Sequence, residues 1–456
     1  MGFNEILSPH RQDLESMTRH ALDQEPTIEA VAQHGLCLGC GTCAGICPCD
    51  AISMVISEGK GAYLPKVRND KCTKCGICYA TCPGHAVDLK ALSRATFGDH
   101  PRDLLIGNYR ECYIGHATDY DVRFNASSGG LISAILVHAL DEGVIDGALV
   151  TRMSAENPLE PEPFIATTAK DIINASGAKY CPVPTNVAIR EILRNEGAYA
   201  VVGLPCQIHG MKNAEIALKK LRERVRLHLG IFCNHAPTFW ATRLLLTRLG
   251  VDASQVAKID YRGQGWPGAT TVKLKEGSTK VLQDYWTFPG SDLFTSKRCL
   301  LCCDLTSELA DVSFGDPWNL DIPQGAGSSI VVARSEKGRN LLQEAEATGI
   351  VDLRHAVADQ VKQSQLRMLY VKKRLLKARM KLYGTKVKIN ADLIDPDLSD
   401  YVLAFVPCFV STLSQNRLAR MVASRLPQDL LLLYTRPTNR LLQNKLQKWK
   451  WTSGSL

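Results

Sequence analysis

The sequence lacks a long apolar run. The longest one near the end spans residues 402–410 and contains Pro407, whereas a membrane-spanning helix needs about 20 mostly apolar residues. The first residues, MGFNEILSPHRQ, contain no apolar stretch of the kind found in secretory signals. We therefore expect a cytoplasmic protein that does not cross a membrane.

The charge is unevenly distributed along the chain. Residues 361–456 contain 18 Lys and Arg against 5 Asp, a net charge of +13, while the whole chain carries +8, so residues 1–360 carry about −5. Few aromatic residues stand among the basic ones and no nucleic-acid-binding motif is present, so we expect no nucleic-acid partner. The tail is either a solvated helical extension or a docking surface for an acidic partner or an anionic membrane.

The 17 cysteines are too unevenly placed for a disulfide scaffold. Eight of them form two copies of one spacing, each ending in Cys-Pro: Cys37, Cys40, Cys43 and Cys47, then Cys72, Cys75, Cys78 and Cys82. This pattern resembles that of bacterial two-cluster ferredoxins, in which the fourth cysteine of each run binds the other cluster. A pair of zinc sites is the alternative, but zinc needs neither the third cysteine nor the tandem copy. We predict two [4Fe–4S] clusters in a reducing compartment, with Cys82 joining the first run and Cys47 the second.

The remaining pattern predicts an α+β ferredoxin-like module followed by an α/β domain with a largely parallel sheet, because strands and helices alternate after the cysteine runs. The short run HAVDLKAL after the second cysteine run is predicted to be β-rich. The predicted divisions are a helical leader (1–33), a two-cluster ferredoxin domain (34–92), a linker (93–110), an α/β domain (111–356) and a basic, mostly helical extension broken by prolines (357–456).

A dinucleotide-binding fingerprint is missing. The segment Gly263–Gly268 has the glycine spacing, but Pro267 removes a backbone donor and the following residues alternate like a strand. A better anion site is Ser127-Ser128-Gly129-Gly130, which directly precedes a predicted helix, because helix N-termini favour negative groups. A plain serine N-cap is the alternative for this motif.

A second cysteine group lies in the α/β domain. Cys206 and Cys233 each follow a predicted strand, and the helix between them fits one right-handed βαβ unit, so both thiols are expected at the same carboxyl edge of the sheet. Cys299 and Cys302 follow later. Together these four cysteines predict a third four-thiolate site, and the alternative is that they are buried, unpaired cysteines.

An ordered set of short motifs resembles the coenzyme F420 hydrogenase/dehydrogenase beta-subunit family across residues 125–334. The segments that carry the resemblance are Ser127-Ser128-Gly129-Gly130, Ser176-Gly177-Ala178-Lys179-Tyr180, Gly203-Leu204-Pro205-Cys206-Gln207, Phe232-Cys233, Tyr261-Arg262-Gly263-Gln264-Gly265-Trp266-Pro267-Gly268, Arg298-Cys299-Leu300-Leu301-Cys302 and Ala310-Asp311-Val312-Ser313-Phe314-Gly315-Asp316-Pro317-Trp318. The resemblance implies FAD and a third [4Fe–4S] cluster. The residues it implies as FAD contacts are Ser127, Ser128, Gly129, Gly130, Ser176, Gly177, Lys179, Tyr180, Arg262 and Trp266.

The family resemblance implies an iron–sulfur flavoprotein oxidoreductase. A deazaflavin such as coenzyme F420 passes only hydride and a cluster passes single electrons, so FAD is expected between them. The expected partners are coenzyme F420 or another small redox substrate, and ferredoxin or a partner oxidoreductase subunit. The alternatives are a ferredoxin-dependent reductase of another organic substrate and an electron-transfer subunit with no substrate of its own. No acid or base residue is assigned.

Overall fold

The computed structural model describes residues 27–283, 290–322, 325–385, 387–427, 430 and 435–449. Most of the predicted helical leader, residues 1–26, lies outside the described residues. In chain order, the N-terminal module comprises α1 (Ile28–Gln33), α2 (Thr42–Gly45), β1 (Ile52–Ser57), β2 (Ala62–Val67), α3 (Ile77–Ala80), β3 (Ala86–Asp88) and α4 (Leu89–Phe97).

Each cysteine run in this module surrounds one short helix. Gly41 and Gly76 cap α2 and α3 with φ angles of 84° and 77°, which a residue with a side chain rarely adopts. The run HAVDLKAL was predicted to be β-rich, but only Ala86–Asp88 forms a strand and a helix begins at Leu89. Asp88 ends β3 and accepts the Ala91 backbone N–H at 2.8 Å, so its carboxylate caps a helix that continues to Phe97 through the first residues of the predicted linker.

The body is built on an eight-stranded mixed sheet. Its strands are β4 (Glu111–Ala117), β5 (Gly147–Met153), β6 (Pro161–Ala166), β7 (Tyr199–Gly203), β8 (Val225–Ile231), β12 (Val312–Gly315), β13 (Ser329–Ala333) and β14 (Val351–Ala356), in the order β14-β4-β13-β12-β8-β7-β5-β6. Parallel pairing joins only four adjacent strands of this sheet, β12, β8, β7 and β5. The prediction of a largely parallel sheet is therefore wrong at both edges. There, short connections such as that between β5 and β6 turn the chain directly back.

A second sheet has three antiparallel strands, β9 (Val256–Gly263), β10 (Ala269–Leu274) and β11 (Thr279–Leu282). The glycine-rich segment that ends in Gly268 is the turn between β9 and β10. A strand rather than a helix follows it, which agrees with its rejection as a dinucleotide-binding loop.

Helices cover both faces of the main sheet. The helices of the body are α5 (Tyr120–Asn125), α6 (Leu131–Asp141), α7 (Ala169–Asn174), α8 (Ile189–Arg194), α9 (Pro205–Ala217), α10 (Lys219–Arg224), α11 (Phe239–Leu249), α12 (Gly290–Leu293), α13 (Lys297–Leu300) and α14 (Glu336–Ala347). Of these, α11 packs on the second sheet and α12 packs on α11. Alternate strand residues point to opposite faces. Ala200 therefore packs in the core beneath α6 and α14, and its neighbour Val201 packs in the core beneath α8 and α9.

The N-terminal module is docked tightly on the α9 face. Asn186 donates through its side-chain amide to the Thr42 hydroxyl and to the Gln207 carbonyl, both at 2.8 Å, and through its backbone N–H to the Cys40 carbonyl at 2.9 Å. A methyl group on Gly210 would lie 2.2 Å from the Thr42 hydroxyl. One hydrophobic core extends across the module and the body, so the module is a fixed part of the fold.

The chain after the body contributes to both parts. Its elements are α15 (Ala358–Ser364), α16 (Leu366–Leu369), a π-helical turn (Tyr370–Arg374), α17 (Leu376–Tyr383), β15 (Lys388–Asn390), α18 (Leu398–Leu413), α19 (Arg417–Arg425) and α20 (Thr435–Lys448). β15 pairs in parallel with β3 of the N-terminal module. Pro407 lies inside α18 and does not break it. Among the described residues, no helix is both long and apolar enough to cross a membrane.

Candidate functional site

The thiols of the first cysteine run lie together with that of Cys82. Burial raises the pKa of Cys43, and the neighbouring thiols of Cys40, Cys82 and Cys37 raise it further. The Gly39 N–H points at the Cys37 sulfur at 3.4 Å, and the Gly84 N–H at the Cys82 sulfur at 3.3 Å. The structure thus brings Cys82 to the first run, as the ferredoxin spacing predicts.

The thiols of the second run lie with Cys47. Burial raises the pKa of Cys78 to about 11, with the thiol of Cys75 as the next cause and those of Cys47 and Cys72 contributing further. The Ala51 N–H points at the Cys47 sulfur at 3.3 Å. Cys75 is the only exposed cysteine of the twelve predicted ligands, so this group is the one nearest to solvent.

A third group forms at the carboxyl edge of the central strands. Cys206 lies in the first turn of α9 directly after β7, and Cys233 follows the parallel neighbour β8. The pKa of Cys233 is raised to about 12, mainly by burial; Lys372 opposes this shift, and the thiols of Cys299 and Cys302 add to it. The four predicted cysteines therefore converge, although they span 97 positions of sequence.

The body's group adjoins the first group of the N-terminal module. Burial raises the pKa of Cys206, and the next largest cause is the thiol of Cys40. Arg298 lies beside this junction and is fully buried. Its guanidinium donates to the Pro83 carbonyl at 2.9 Å, the Gly84 carbonyl at 2.6 Å and the Leu301 carbonyl at 2.6 Å. This one side chain fastens the end of the second cysteine run to the loop that carries Cys302.

Lys372 was not predicted from the sequence. It comes from the π-helical turn and is 2% exposed, in a cavity lined also by Leu38, Pro182, His235, Asp304 and the four thiols. Burial alone would lower its pKa, but the neighbouring thiols of Cys302, Cys233 and Cys299 raise it above its ordinary value. The only sequence signal was the basic composition of the tail, because the contact depends on how the chain returns over the body.

The segments predicted to contact FAD meet at Ser127. The Ala178 N–H donates to the Ser127 hydroxyl at 2.7 Å, and that hydroxyl donates to the Arg262 carbonyl at 3.1 Å. The Ser128 hydroxyl donates to the Ser328 carbonyl at 2.7 Å. Gly129 fits against the backbone of β4 and β13, where a methyl group would lie 2.6 Å from the Gly115 carbonyl oxygen. The Ser127 hydroxyl therefore joins the loops at Ala178 and Arg262, and the Ser128 hydroxyl joins its own loop to Ser328.

Arg262 and Trp266 are held by one carboxylate. The two terminal nitrogens of Arg262 donate to the two oxygens of Asp316 at 2.7 and 2.8 Å, and the Trp266 indole N–H donates to Asp316 Oδ1 at 2.8 Å. The ring of Trp266 lies 5.1 Å from that of Trp318, centroid to centroid. Arg262 is 4% exposed and also donates to the Pro267 carbonyl at 2.8 Å, so it fixes the turn between β9 and β10.

Lys179 caps the helix that precedes it. Its ammonium donates to the carbonyls of Ala175, Ser176 and Gly177 at 2.5, 2.9 and 2.8 Å. Burial lowers the pKa of Lys179 to about 8. Gly177 has a φ angle of 83°, and the neighbouring Tyr180 ring packs edge-on against Tyr261 with 6.2 Å between the ring centroids.

The residues present fit iron–sulfur clusters better than single metal ions. Three sets of four thiols are available, and backbone N–H groups point at three of the sulfurs. Within the described ranges, no three His, Cys, Asp or Glu side chains are placed to share one metal ion. The side chains predicted to contact FAD are bonded within the protein: the Ser127 and Ser128 hydroxyls and the Lys179 ammonium have carbonyl partners. The Gly129 N–H donates to the Ser329 hydroxyl at 2.9 Å.

Fold and site together define an iron–sulfur oxidoreductase subunit. Residues 36–86 match the 4Fe-4S dicluster domain. Residues 112–190 match the N-terminal part, and residues 197–359 the C-terminal part, of the coenzyme F420 hydrogenase/dehydrogenase beta subunit. The chain belongs to this family, as the motif set predicted.

Two named relatives and one solved structure are similar to this chain. The coenzyme F420 hydrogenase beta subunit of Methanothermobacter thermautotrophicus is 28% identical over 55% of this chain and 85% of its own length. One of the F(420)H(2) dehydrogenase subunits of Methanosarcina mazei is 28% identical over 64% of this chain and 80% of its own. A chain in a solved structure of the F420-reducing [NiFe] hydrogenase complex from Methanosarcina barkeri aligns over 62% of this chain and 92% of that one, with a TM-score of 0.49 and 23% identity.

Proposed function

We propose that the chain is an iron–sulfur flavoprotein oxidoreductase of the cytoplasm. It exchanges hydride between FAD and coenzyme F420, or a similar two-electron substrate, and exchanges single electrons with ferredoxin or a partner oxidoreductase subunit. The named relatives support F420 as the substrate, since their names state F420 hydrogenase and F(420)H(2) dehydrogenase subunits. The cytoplasm is proposed because thiolate-bound clusters need a reducing compartment.

The adjacency of Cys206 and Cys40 carries the proposal. Asn186 donates through its backbone N–H to the Cys40 carbonyl and through its side-chain amide to the carbonyl of Gln207, next to Cys206, so one buried residue holds the two thiol groups in register. A protein whose body and ferredoxin module acted separately would not need this junction. Twelve cysteines form the metal-binding set of the proposal: the eight of the module and the four of the body.

The cofactors supply the redox chemistry, and the chain positions them. A flavin, when bound, converts between hydride and single-electron chemistry, whereas a cluster passes one electron at a time. On the flavin side, Asp316 fixes the Arg262 guanidinium and the Trp266 indole, which holds the turn between β9 and β10 in one conformation. On the partner side, the exposure of Cys75 supports the second thiol group as the place of exchange with ferredoxin or a partner subunit.

Anaerobic mixing with reduced coenzyme F420 tests the proposal. We expect the flavin absorbance and then the broad cluster absorbance to bleach. Cys206→Ser should keep flavin bleaching but lose reduction of the module's clusters, while Cys112→Ser, a buried cysteine outside the three groups, should behave like the wild type. An absence of bleaching would contradict the role of F420.

The alternatives give different results in the same experiment. A reductase of another organic substrate bleaches with reduced ferredoxin but not with reduced F420. An electron-transfer subunit without its own substrate accepts electrons from dithionite and responds to neither. A peripheral-membrane or acidic-partner contact of the basic tail is a separate property, because it concerns another face of the protein.

A further inference from the structure

An apolar face runs along α18 and continues onto α19. Eight large apolar side chains point outward there: Leu398, Val402, Phe405, Phe409, Leu413, Leu418, Met421 and Val422. On α18 they recur every three or four residues, which places them on one side of the helix. These eight are about half of the seventeen exposed large apolar residues in the described chain. We call them the outer face.

The outer face belongs to helices that are fixed on the protein. The opposite side of α18 is buried through Leu403, Ala404 and Cys408. The Ser411 hydroxyl donates to the Thr295 carbonyl at 2.7 Å. On α19, the Arg420 guanidinium lies 4.1 Å from the centre of the Trp240 ring. The outer face is therefore a surface of the folded protein, because the helices already have their inner contacts.

Asp397 and Asp400, at the start of α18, are paired with Arg374 and Lys445. Beyond that first turn, the charges beside the outer face are positive. Between Tyr401 and Pro427 the sequence has Arg417, Arg420 and Arg425 and no acidic residue. Arg417 and Arg425 are exposed, and within the described ranges no ion pair involves either of them. Several other cations of the tail already have acidic partners within the chain. Lys373, for example, is buried against Glu308 at 2.6 Å, and Lys377 pairs with Asp395 at 2.7 Å.

We propose that the outer face docks the protein on the surface of an anionic membrane. An apolar stripe that ends in exposed cations is the pattern of helices that lie in the plane of a bilayer interface. Acyl chains receive the phenylalanine and leucine side chains, and anionic headgroups receive the arginines. No described helix is long and apolar enough to cross a membrane, so the contact is peripheral. The proposal is independent of the redox function.

Vesicle sedimentation with the full-length holoprotein tests the proposal. We expect binding to vesicles of phosphatidylcholine with about one third phosphatidylglycerol, and at least tenfold weaker partitioning onto pure phosphatidylcholine. Phe405→Ser/Phe409→Ser should weaken partitioning onto the anionic vesicles at least tenfold, because the two stacked rings, 5.8 Å apart, leave the apolar stripe. High salt should weaken wild-type binding through screening of the arginines.

A matched control is available elsewhere on the surface. Val281→Ser/Val357→Ser removes two exposed apolar side chains outside the outer face and should leave vesicle binding unchanged. Circular dichroism and iron content should match the wild type for both double variants. Equal sedimentation of the wild type and Phe405→Ser/Phe409→Ser would overturn the proposal. So would a wild-type dimer that binds no vesicles and becomes a monomer in that variant, because the outer face would then pair two copies of this chain.

Discussion

Replacing Lys372 by Met should make the reduction potential of the cluster proposed for the body more negative. The ammonium is buried beside Cys233, Cys299 and Cys302, and their thiols raise its pKa above the ordinary lysine value, so it is positively charged at neutral pH. A cluster gains one negative charge on reduction. The lysine therefore stabilises the reduced form more than the oxidised form, and methionine keeps the side-chain volume without the charge.

The size of the shift follows from Coulomb's law. At a separation of about 6 Å and an effective dielectric constant of about 20, one unit charge changes the reduction free energy by about 3 kcal/mol. For one electron this corresponds to about 130 mV. Relaxation of the protein and entry of water reduce this figure, so the expected shift is between about 50 and 100 mV.

Potentiometric titration followed by electron paramagnetic resonance measures this shift. Lys377→Met is the matched control, because Lys377 is partly exposed and pairs with Asp395, and we expect it to shift the potential by less than about 20 mV. In Lys372→Met, the reduction potentials of the two clusters in the N-terminal module should change less than that of the cluster proposed for the body. An unchanged potential of the body's cluster, with full iron content, would refute the placement of this charge.

Three further predictions concern stability and order. Arg298→Met should lower the free energy of unfolding by about 3 kcal/mol, because three buried carbonyls lose their donor. Arg298→Lys should recover part of this loss in thermal melts. Equal melting temperatures of the wild type and Arg298→Met would show that these three hydrogen bonds do not stabilise the fold. Asp316→Asn should lower the free energy of unfolding by about 2 kcal/mol and speed proteolysis in the turn between β9 and β10. If the variant is digested at the same rate as the wild type, the turn does not depend on this carboxylate. The pKa of Lys179 is lowered to about 8 by burial, so the unfolded chain holds this proton more tightly and the stability of the wild type relative to Lys179→Met should rise from about pH 8 to 10; a flat difference would show that the lysine is not buried.

Local patterns in the sequence predicted the cysteine groups well. The spacing within each run places three thiols on one loop, and parallel strands place Cys206 and Cys233 at one edge whatever the rest of the fold does. The start of α6 directly after Gly130 could also be predicted, because it depends on neighbouring residues. These features depend on a few neighbouring residues, or on one βαβ unit.

Contacts between distant parts of the chain could not be predicted in this way. β15 pairs with β3 about 300 residues earlier in the chain, and Lys372 reaches the body's thiols only because the chain returns over them. A serine before a helix suggests a phosphate contact, yet Ser127 joins two loops through hydrogen bonds to Ala178 and Arg262. Periodicity also could not show that the sheet turns antiparallel at its edges, because short strands look alike in either direction.

The iron content of anaerobically purified protein tests the central claim most directly. Three four-thiol groups, two in the N-terminal module and one in the body, predict about twelve iron atoms per chain and about eight in Cys206→Ser, since each [4Fe–4S] cluster holds four. The eight iron atoms that remain in Cys206→Ser should give the electron paramagnetic resonance signal of two clusters that lie close together. About eight iron atoms in the wild type, unchanged by Cys206→Ser, would contradict a cluster in the body.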